Sequence, residues 1–247
     1  MQPDPILQPT IPDAQREAAA RRLPAMQLVA EGALLTVDAG YSAQLAEKAR
    51  LIAAGRDRVI AVTPGAGAAV AELLEFVLDD LSRRPDFAVR GGTVRRPDGV
   101  TVTVERDDPF LTLSRLVQED LCVLEKRGAE HVLTAALLCF PAAWTLAEKI
   151  GQPLLRIHLP VPVYDADIAR RVQRMFDGVQ PGRAVWRANL LRYDLPDLYQ
   201  PHSEANPRKV GRPDSVYERS ERQSVFRLPV TGAVVFAIHT TVARRAV

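Results

Sequence analysis

One stretch near the middle of the chain, residues 121–140, limits the possible folds more than any other. Two apolar runs, residues 121–124 and 132–140, flank a charged turn at 125–130 that contains Gly128. Short apolar runs on either side of a turn with glycine are typical of a buried β-hairpin. We therefore predict that the rest of the chain is organised around this hairpin.

The segments after the hairpin predict a mixed fold. A short helical piece at 144–150 and a helix at 166–176 are followed by three strand-like runs, at 184–193, 221–228 and 233–242. Strands that lie close together in the sequence favour antiparallel pairing. The order therefore predicts an α+β fold, with a PAS-like five-stranded antiparallel sheet and helices over one of its faces.

The part before the hairpin is predicted to be mostly helical. Residues 41–54 and 66–81 carry apolar side chains at helical spacing, whereas glycine and proline turns at 85–108 favour a small hairpin or flap. A helical lead at 110–120 is expected to enter the hairpin. We divide the chain into an N-terminal arm (1–33), a helical portion packed on the core (34–115) and a PAS-like core (116–247).

Composition excludes several classes of protein. Apolar residues make up 47% and charged residues 25%, as in globular proteins, and the net charge of +2 favours neither nucleic acid nor a membrane surface. Cys122 and Cys139 lack metal-type spacing, so we expect buried, reduced thiols. The N-terminus does not resemble a signal peptide, and Pro141 interrupts the longest apolar stretch. A cytoplasmic protein without a membrane span is expected.

Among the four histidines, His158 is the best candidate for a metal ligand. Pro160 and Pro162 restrict the backbone after it to extended conformations. A neutral imidazole is the usual axial ligand of haem iron. Two interpretations stay open: an iron ligand, or a core histidine with a hydrogen-bonded ring nitrogen. For His239, alternation does not decide between a solvent-facing and a ligand-facing position.

Two polar runs fall on predicted strands. In the first, Glu221 and Gln223 share one face and Arg222 lies on the other, so the strand either lines a cavity or is a solvated edge strand. In the second, Arg187 and Asn189 share a face. A guanidinium on such a face suits a propionate or another carboxylate, because its fork matches two oxygens.

Six segments stand in a fixed order along the chain: 116–127, 130–151, 157–162, 181–189, 220–229 and 232–240. Together they resemble the alpha subunit of haem-dependent oxidative N-demethylase and its relatives. The similarity spans roughly residues 34–242.

This resemblance implies that the PAS-like core binds haem b and acts as a monooxygenase. It implies oxidation of an N-methyl group on a small amine, such as dimethylamine, by O2 and two electrons, with release of formaldehyde. The electrons are expected from NADPH through a separate flavin and iron–sulfur reductase. The alternatives are a haem or small-molecule PAS sensor without turnover, and a haem-free PAS protein that binds a partner through its sheet.

The resemblance also implies roles for individual residues. His158 is the expected proximal ligand of the iron, and Glu221 is the expected distal catalytic acid. A carboxylate is needed there because a protonated amine entering an apolar pocket costs several kcal/mol unless a counter-charge meets it. The remaining expected cofactor contacts are Arg187, Arg222 and Arg227 at the propionates, and His239 as a substitute axial ligand.

Overall fold

The computed structural model of this chain describes residues 4–21, 25–158, 166–209 and 211–245. Its helices are α1 (Asp13–Ala19), α2 (Tyr41–Gly55), α3 (Gly67–Ser82), α4 (Pro109–Ser114), α5 (Leu146–Lys149), α6 (Leu154–His158) and α7 (Ala166–Gly178). Its strands are β1 (Gln27–Leu28), β2 (Ile60–Val62), β3 (Ala88–Arg90), β4 (Thr93–Arg95), β5 (Thr101–Thr103), β6 (Asp120–Arg127), β7 (Glu130–Leu137), β8 (Val185–Tyr193), β9 (Tyr217–Arg227) and β10 (Val234–Arg244). The α+β class is confirmed.

The main sheet is antiparallel throughout, with the strand order β1-β8-β9-β10-β6-β7-β2. The five predicted strands occupy its centre, but the sheet has seven strands rather than five. The two extra strands, β1 and β2, are two and three residues long. Strands this short have no readable alternation, so only pairing with β8 and β7 defines them. Strands β3–β5 form a separate sheet in the region predicted as a hairpin or flap.

The predicted central hairpin is confirmed as β6 and β7. Gly128 in its turn has a φ of +62°, a backbone conformation that glycine adopts without steric cost. The segment at 110–120 was predicted to be helical throughout. Helix α4 ends at Ser114, however, and strand β6 begins at Asp120. Helix α5 is also shorter than the predicted 144–150 segment.

Helices cover both faces of the main sheet, not one. Leu45 of α2, Leu73 of α3 and Leu113 of α4 belong to the apolar cluster on one side, which we call the α2–α4 face. Leu146, Leu154 and Phe176, from α5, α6 and α7, belong to the cluster on the other, the α5–α7 face. The neighbours Val234 and Val235 of β10 belong to opposite clusters, as strand alternation requires.

The N-terminal arm lies against the sheet. Helix α1 contacts β8, strand β1 pairs with β8, and the backbone N–H of Gln8 donates to the carbonyl of Val242 at 2.8 Å. The division of the chain at residues 33 and 115 stays a prediction. Among the helices of the described residues, none combines the length and apolarity needed to cross a bilayer.

Candidate functional site

A polar patch lies on the α5–α7 face of the sheet, on the neighbouring strands β8 and β9. Glu221 and Gln223 share a face with Val225, which packs in the apolar cluster of that side. Their partners across the strand pair are Asn189 and Arg187. Strand β9 runs between β8 and β10, and Glu221 is only 8% exposed, so this is not a solvated edge strand.

Two amide side chains hold the Glu221 carboxylate. Asn189 Nδ2 donates to Glu221 Oε2 at 3.0 Å, and the backbone N–H of Glu221 donates back to Asn189 Oδ1 at 2.9 Å. Gln223 Nε2 donates to the same Oε2 at 3.1 Å. The reciprocal bond with Asn189 fixes which end of that amide faces the carboxylate. Glu221 is therefore oriented by donors on both strands.

A buried arginine, Arg219, lies beside the other oxygen of this carboxylate. Its side chain is 1% exposed, and NH2 is 3.6 Å from Glu221 Oε1. It also donates to the carbonyls of Leu198 at 2.9 Å and Phe140 at 2.5 Å. Sequence reasoning missed Arg219 because the strand was predicted to begin only at residue 221, whereas β9 begins at Tyr217. Its spacing of two from Glu221 was the available signal.

Arg187 is a half-buried cation without an anion. Its one hydrogen bond runs to the carbonyl of Ala188 at 3.5 Å, and among the described residues it forms no ion pair. Burial lowers the pKa of Arg187, and the negative charge of Glu221 opposes this shift. A desolvated guanidinium whose donors are mostly unused is suited to a carboxylate ligand.

His158 is the last residue of helix α6, a helix that the sequence did not predict. Its Nδ1 lies 2.8 Å from the carbonyl oxygen of Leu154, one turn earlier. Burial lowers the pKa of His158, against an opposing effect of that hydrogen bond. A neutral ring that donates from Nδ1 carries its lone pair on Nε2, the tautomer that binds metals. Residues 159–162, predicted to be extended, lie outside the described part of the chain.

Helix α6 is tied to the long loop at 194–216 through Glu204. Lys149, which is 3% exposed, donates to Glu204 Oε1 at 2.6 Å and to the carbonyl of Ile157 at 3.0 Å. Arg156 donates to both Glu204 oxygens, at 2.9 and 3.0 Å. Hydrogen bonds from Arg156 and Lys149 lower the pKa of Glu204 to about 2. The loop is thus anchored next to His158 by a carboxylate.

Two of the expected cofactor contacts bind backbone carbonyls instead. Arg227 donates to the carbonyls of Phe176 and Val179, each at 2.6 Å, and so caps the end of α7. Arg222 lies on the α2–α4 face and donates to the carbonyl of Ala33 at 2.6 Å. Neither guanidinium joins the patch around Glu221.

His239 also lies away from the patch. It pairs across the strands with Arg222 on the α2–α4 face, and its Nε2 is 3.3 Å from Asp38 Oδ2 without the geometry of a hydrogen bond. Burial raises the pKa of Asp38, but the nearby His239 ring and the hydrogen bonds from Gln118 and the backbone N–H of Gly40 outweigh it and hold that pKa at about 2. His131 is 1% exposed, and its Nδ1 lies 3.0 Å from Gln173 Oε1.

The sequence was compared with models of protein families. The family described as "Haem-dependent oxidative N-demethylase, alpha subunit-like" matches residues 26–245, nearly the whole chain. This chain belongs to that family. The description of this haem-dependent oxidative N-demethylase family names an oxidoreductase activity and a haem requirement, and "alpha subunit" implies further subunits.

The described residues fit the cofactor that the N-demethylase family name requires. The 2.8 Å contact of His158 Nδ1 with a carbonyl oxygen favours the tautomer that binds metals through Nε2, and an imidazole is a common axial donor to haem iron. Arg187 forms no ion pair within the described part of the chain, and a guanidinium can bind a carboxylate, of which haem carries two. Glu221 adds a buried acid on the same sheet face as Arg187.

Proposed function

We propose that this chain is the haem-binding subunit of a cytoplasmic monooxygenase that demethylates a small N-methylamine such as dimethylamine. The core is a PAS-like domain that holds haem b. A separate flavin and iron–sulfur reductase supplies two electrons from NADPH. The observation that carries the proposal is the oriented, buried Glu221 on the same sheet face as Arg187, a guanidinium that forms no ion pair with any described residue, in a chain of this family.

The proposed reaction balances with one O2 and two electrons. Dimethylamine, O2, two electrons and two protons give methylamine, formaldehyde and water. When bound, haem supplies the iron at which O2 is activated. The chain's own residues hold the cofactor, bind the amine and deliver protons.

Glu221 is proposed to meet the cationic amine or to hold the proton that the reaction consumes. A carboxylate has about four acceptor positions, and two amide donors on Oε2 leave positions on Oε1 for a ligand. Because Asn189 and Gln223 already orient the group, little entropy is lost when a substrate binds. In a pocket of low dielectric the pairing offsets several kcal/mol of amine desolvation.

His158 is proposed as the axial ligand, through Nε2, with Nδ1 donating to Leu154. The test is replacement by alanine in protein produced with a haem precursor. We expect His158→Ala to lose most of the Soret absorbance relative to protein absorbance at 280 nm. His202→Ala, in the loop at 194–216, is the matched control and should retain its haem.

Unchanged haem content in His158→Ala would show that another residue binds the iron. Haem-replete wild-type protein that yields no formaldehyde from any methylamine under reducing conditions would favour the sensor alternative.

A further inference from the structure

We propose that the substrate is a small N-methyl amino acid, whose ammonium group binds Glu221 and whose carboxylate binds Arg187. This rests on the proposed function and specifies the chemical class of its substrate. N-Methylglycine is the simplest such compound. Its reaction would consume O2, two reductase electrons and two protons, break the bond between nitrogen and the methyl carbon, and give glycine, formaldehyde and water.

The anion of the proposed site is Glu221, whose two oxygens differ in their hydrogen bonds. Glu221 Oε2 already accepts two amide hydrogen bonds, whereas among the described residues the polar neighbour of Oε1 is Arg219 NH2 at 3.6 Å. Oε1 is therefore the oxygen with acceptor positions left for an ammonium group. Arg219 cannot turn fully towards it, because its NH1 and NH2 groups donate to the carbonyls of Leu198 and Phe140.

The cation of the proposed site is Arg187. Arg187 lies across from Gln223, one diagonal step from Glu221, and both side chains are on the α5–α7 face. Diagonal neighbours on a strand pair are about 7–8 Å apart. The two side chains do not form a direct ion pair, although the negative charge of Glu221 is close enough to oppose the lowering of the Arg187 pKa. Gln223 is the neighbour of both, across the strand pair from Arg187 and two residues along β9 from Glu221, and its side-chain hydrogen bond within the described residues runs to Glu221.

This spacing matches a molecule that carries both charges. In an α-amino acid one carbon separates the ammonium nitrogen from the carboxylate, and charge-assisted hydrogen bonds of about 2.7–2.9 Å at each end extend its reach. A simple dialkylamine would satisfy Glu221 and leave the half-buried guanidinium unpaired. A zwitterion neutralises both groups at once, which removes the cost of that unpaired charge.

A carboxylate at Arg187 can come from either of two sources, the substrate or a propionate of the haem. The test compares wild type with Arg187→Gln in the haem-loaded enzyme with its reductant. Two readouts are used: formaldehyde release, and titration of the ferric Soret band with N-methylglycine or dimethylamine.

We expect wild type to prefer N-methylglycine. Arg187→Gln should lower the ratio of kcat/KM for N-methylglycine to that for dimethylamine by about 10- to 100-fold, as expected for a lost charge-assisted hydrogen bond, while keeping its haem. The control is Arg192→Gln, which should leave the ratio unchanged. Arg192 lies on the same strand, but it is exposed and its side chain is on the opposite face from Arg187.

Loss of haem from Arg187→Gln would overturn the substrate assignment and place the propionate there. Wild-type turnover of dimethylamine, without binding of N-methylglycine, would overturn the amino-acid class and leave the proposed function intact. If neither amine yields formaldehyde, the proposed function fails. The Soret titration then still shows which of the two amines binds, and so tests the class of ligand.

Discussion

At the scale of single residues, a buried ion pair joins helix α2 to the central hairpin. Lys48 Nζ lies 3.3 Å from Asp120 Oδ1, with 0% and 1% of the two side chains exposed. Asp120 also accepts the backbone N–H groups of Cys139 at 2.9 Å and Phe140 at 2.6 Å. Burial raises the pKa of Asp120, and the Lys48 charge is the largest opposing effect. The carboxylate thus depends on this lysine.

Replacing this lysine should be costly. We expect Lys48→Met to lower the free energy of unfolding by about 3–5 kcal/mol, because it leaves a buried carboxylate without its counter-ion. Urea denaturation measures the loss. The control is Lys126→Met, which removes the exposed partner of Asp177 and should cost about 0–1 kcal/mol. Equal losses in the two variants would contradict the role given to Lys48.

Alternation along β8 and β9 predicted which polar residues share a face, and the structure confirms it for Glu221 with Gln223 and for Arg187 with Asn189. It could not predict which helical layer covers that face. The choice depends on the packing of residues that are distant in the sequence.

At the scale of elements, the periodic helices were the easiest to predict. The apolar stripe expected on α3 is buried along its whole length, from Val70 to Leu81. Helix α6 was missed because it has five residues, too few for a helical period. The first residues of β9, 217–220, precede the strand that was predicted to begin at residue 221. The reason for their strand conformation is pairing on both sides, with β8 and β10.

The Glu204 contact gives a prediction for the loop at 194–216. The pKa of Glu204 is lowered from 4.5 to about 2. The stability that the ionised carboxylate gives to the loop contact is therefore complete above pH 4.5 and is lost as the pH falls towards about 2. We expect Glu204→Gln to expose the loop at neutral pH, with severalfold faster trypsin cleavage after Arg208 and Lys209.

Asp214→Asn is the matched control for that experiment. It removes a charge from the same loop, but its carboxylate pairs with Arg212 and does not contact α6. Hydrogen exchange of the wild-type loop should quicken relative to the rest of the chain between pH 4.5 and 2. If Glu204→Gln keeps the same pH dependence, another group anchors the loop.

At the scale of the whole molecule, the two ends of the chain meet at the sheet. The Gln8 side chain accepts from the backbone N–H of Val242 at 2.9 Å, and Gln15 accepts from Ser220 at 2.7 Å. Ile11, which lies between Gln8 and Gln15 in the sequence, is fully buried. The arm therefore contributes to the stability of the sheet that carries the candidate site.

Truncating Ile11 tests this contribution. We expect Ile11→Ala to lower the free energy of unfolding by about 2–5 kcal/mol, as for other large-to-small changes in a core. Urea denaturation followed by circular dichroism measures it. Val230→Ala, at a position 85% exposed, should stay within about 0.5 kcal/mol of wild type. A loss as small as this in Ile11→Ala would mean that the arm is dispensable.

Because successive side chains of β9 lie on opposite faces of the sheet, the strand limits how such proteins can diverge in sequence. Glu221 and Arg222 are neighbours in the chain, yet one faces the proposed chemistry and the other fixes the Ala33 segment on the opposite side. A point mutation can change either task separately. Insertion or deletion of one residue in this strand would exchange the two sets of side chains, and would destroy recognition and packing together.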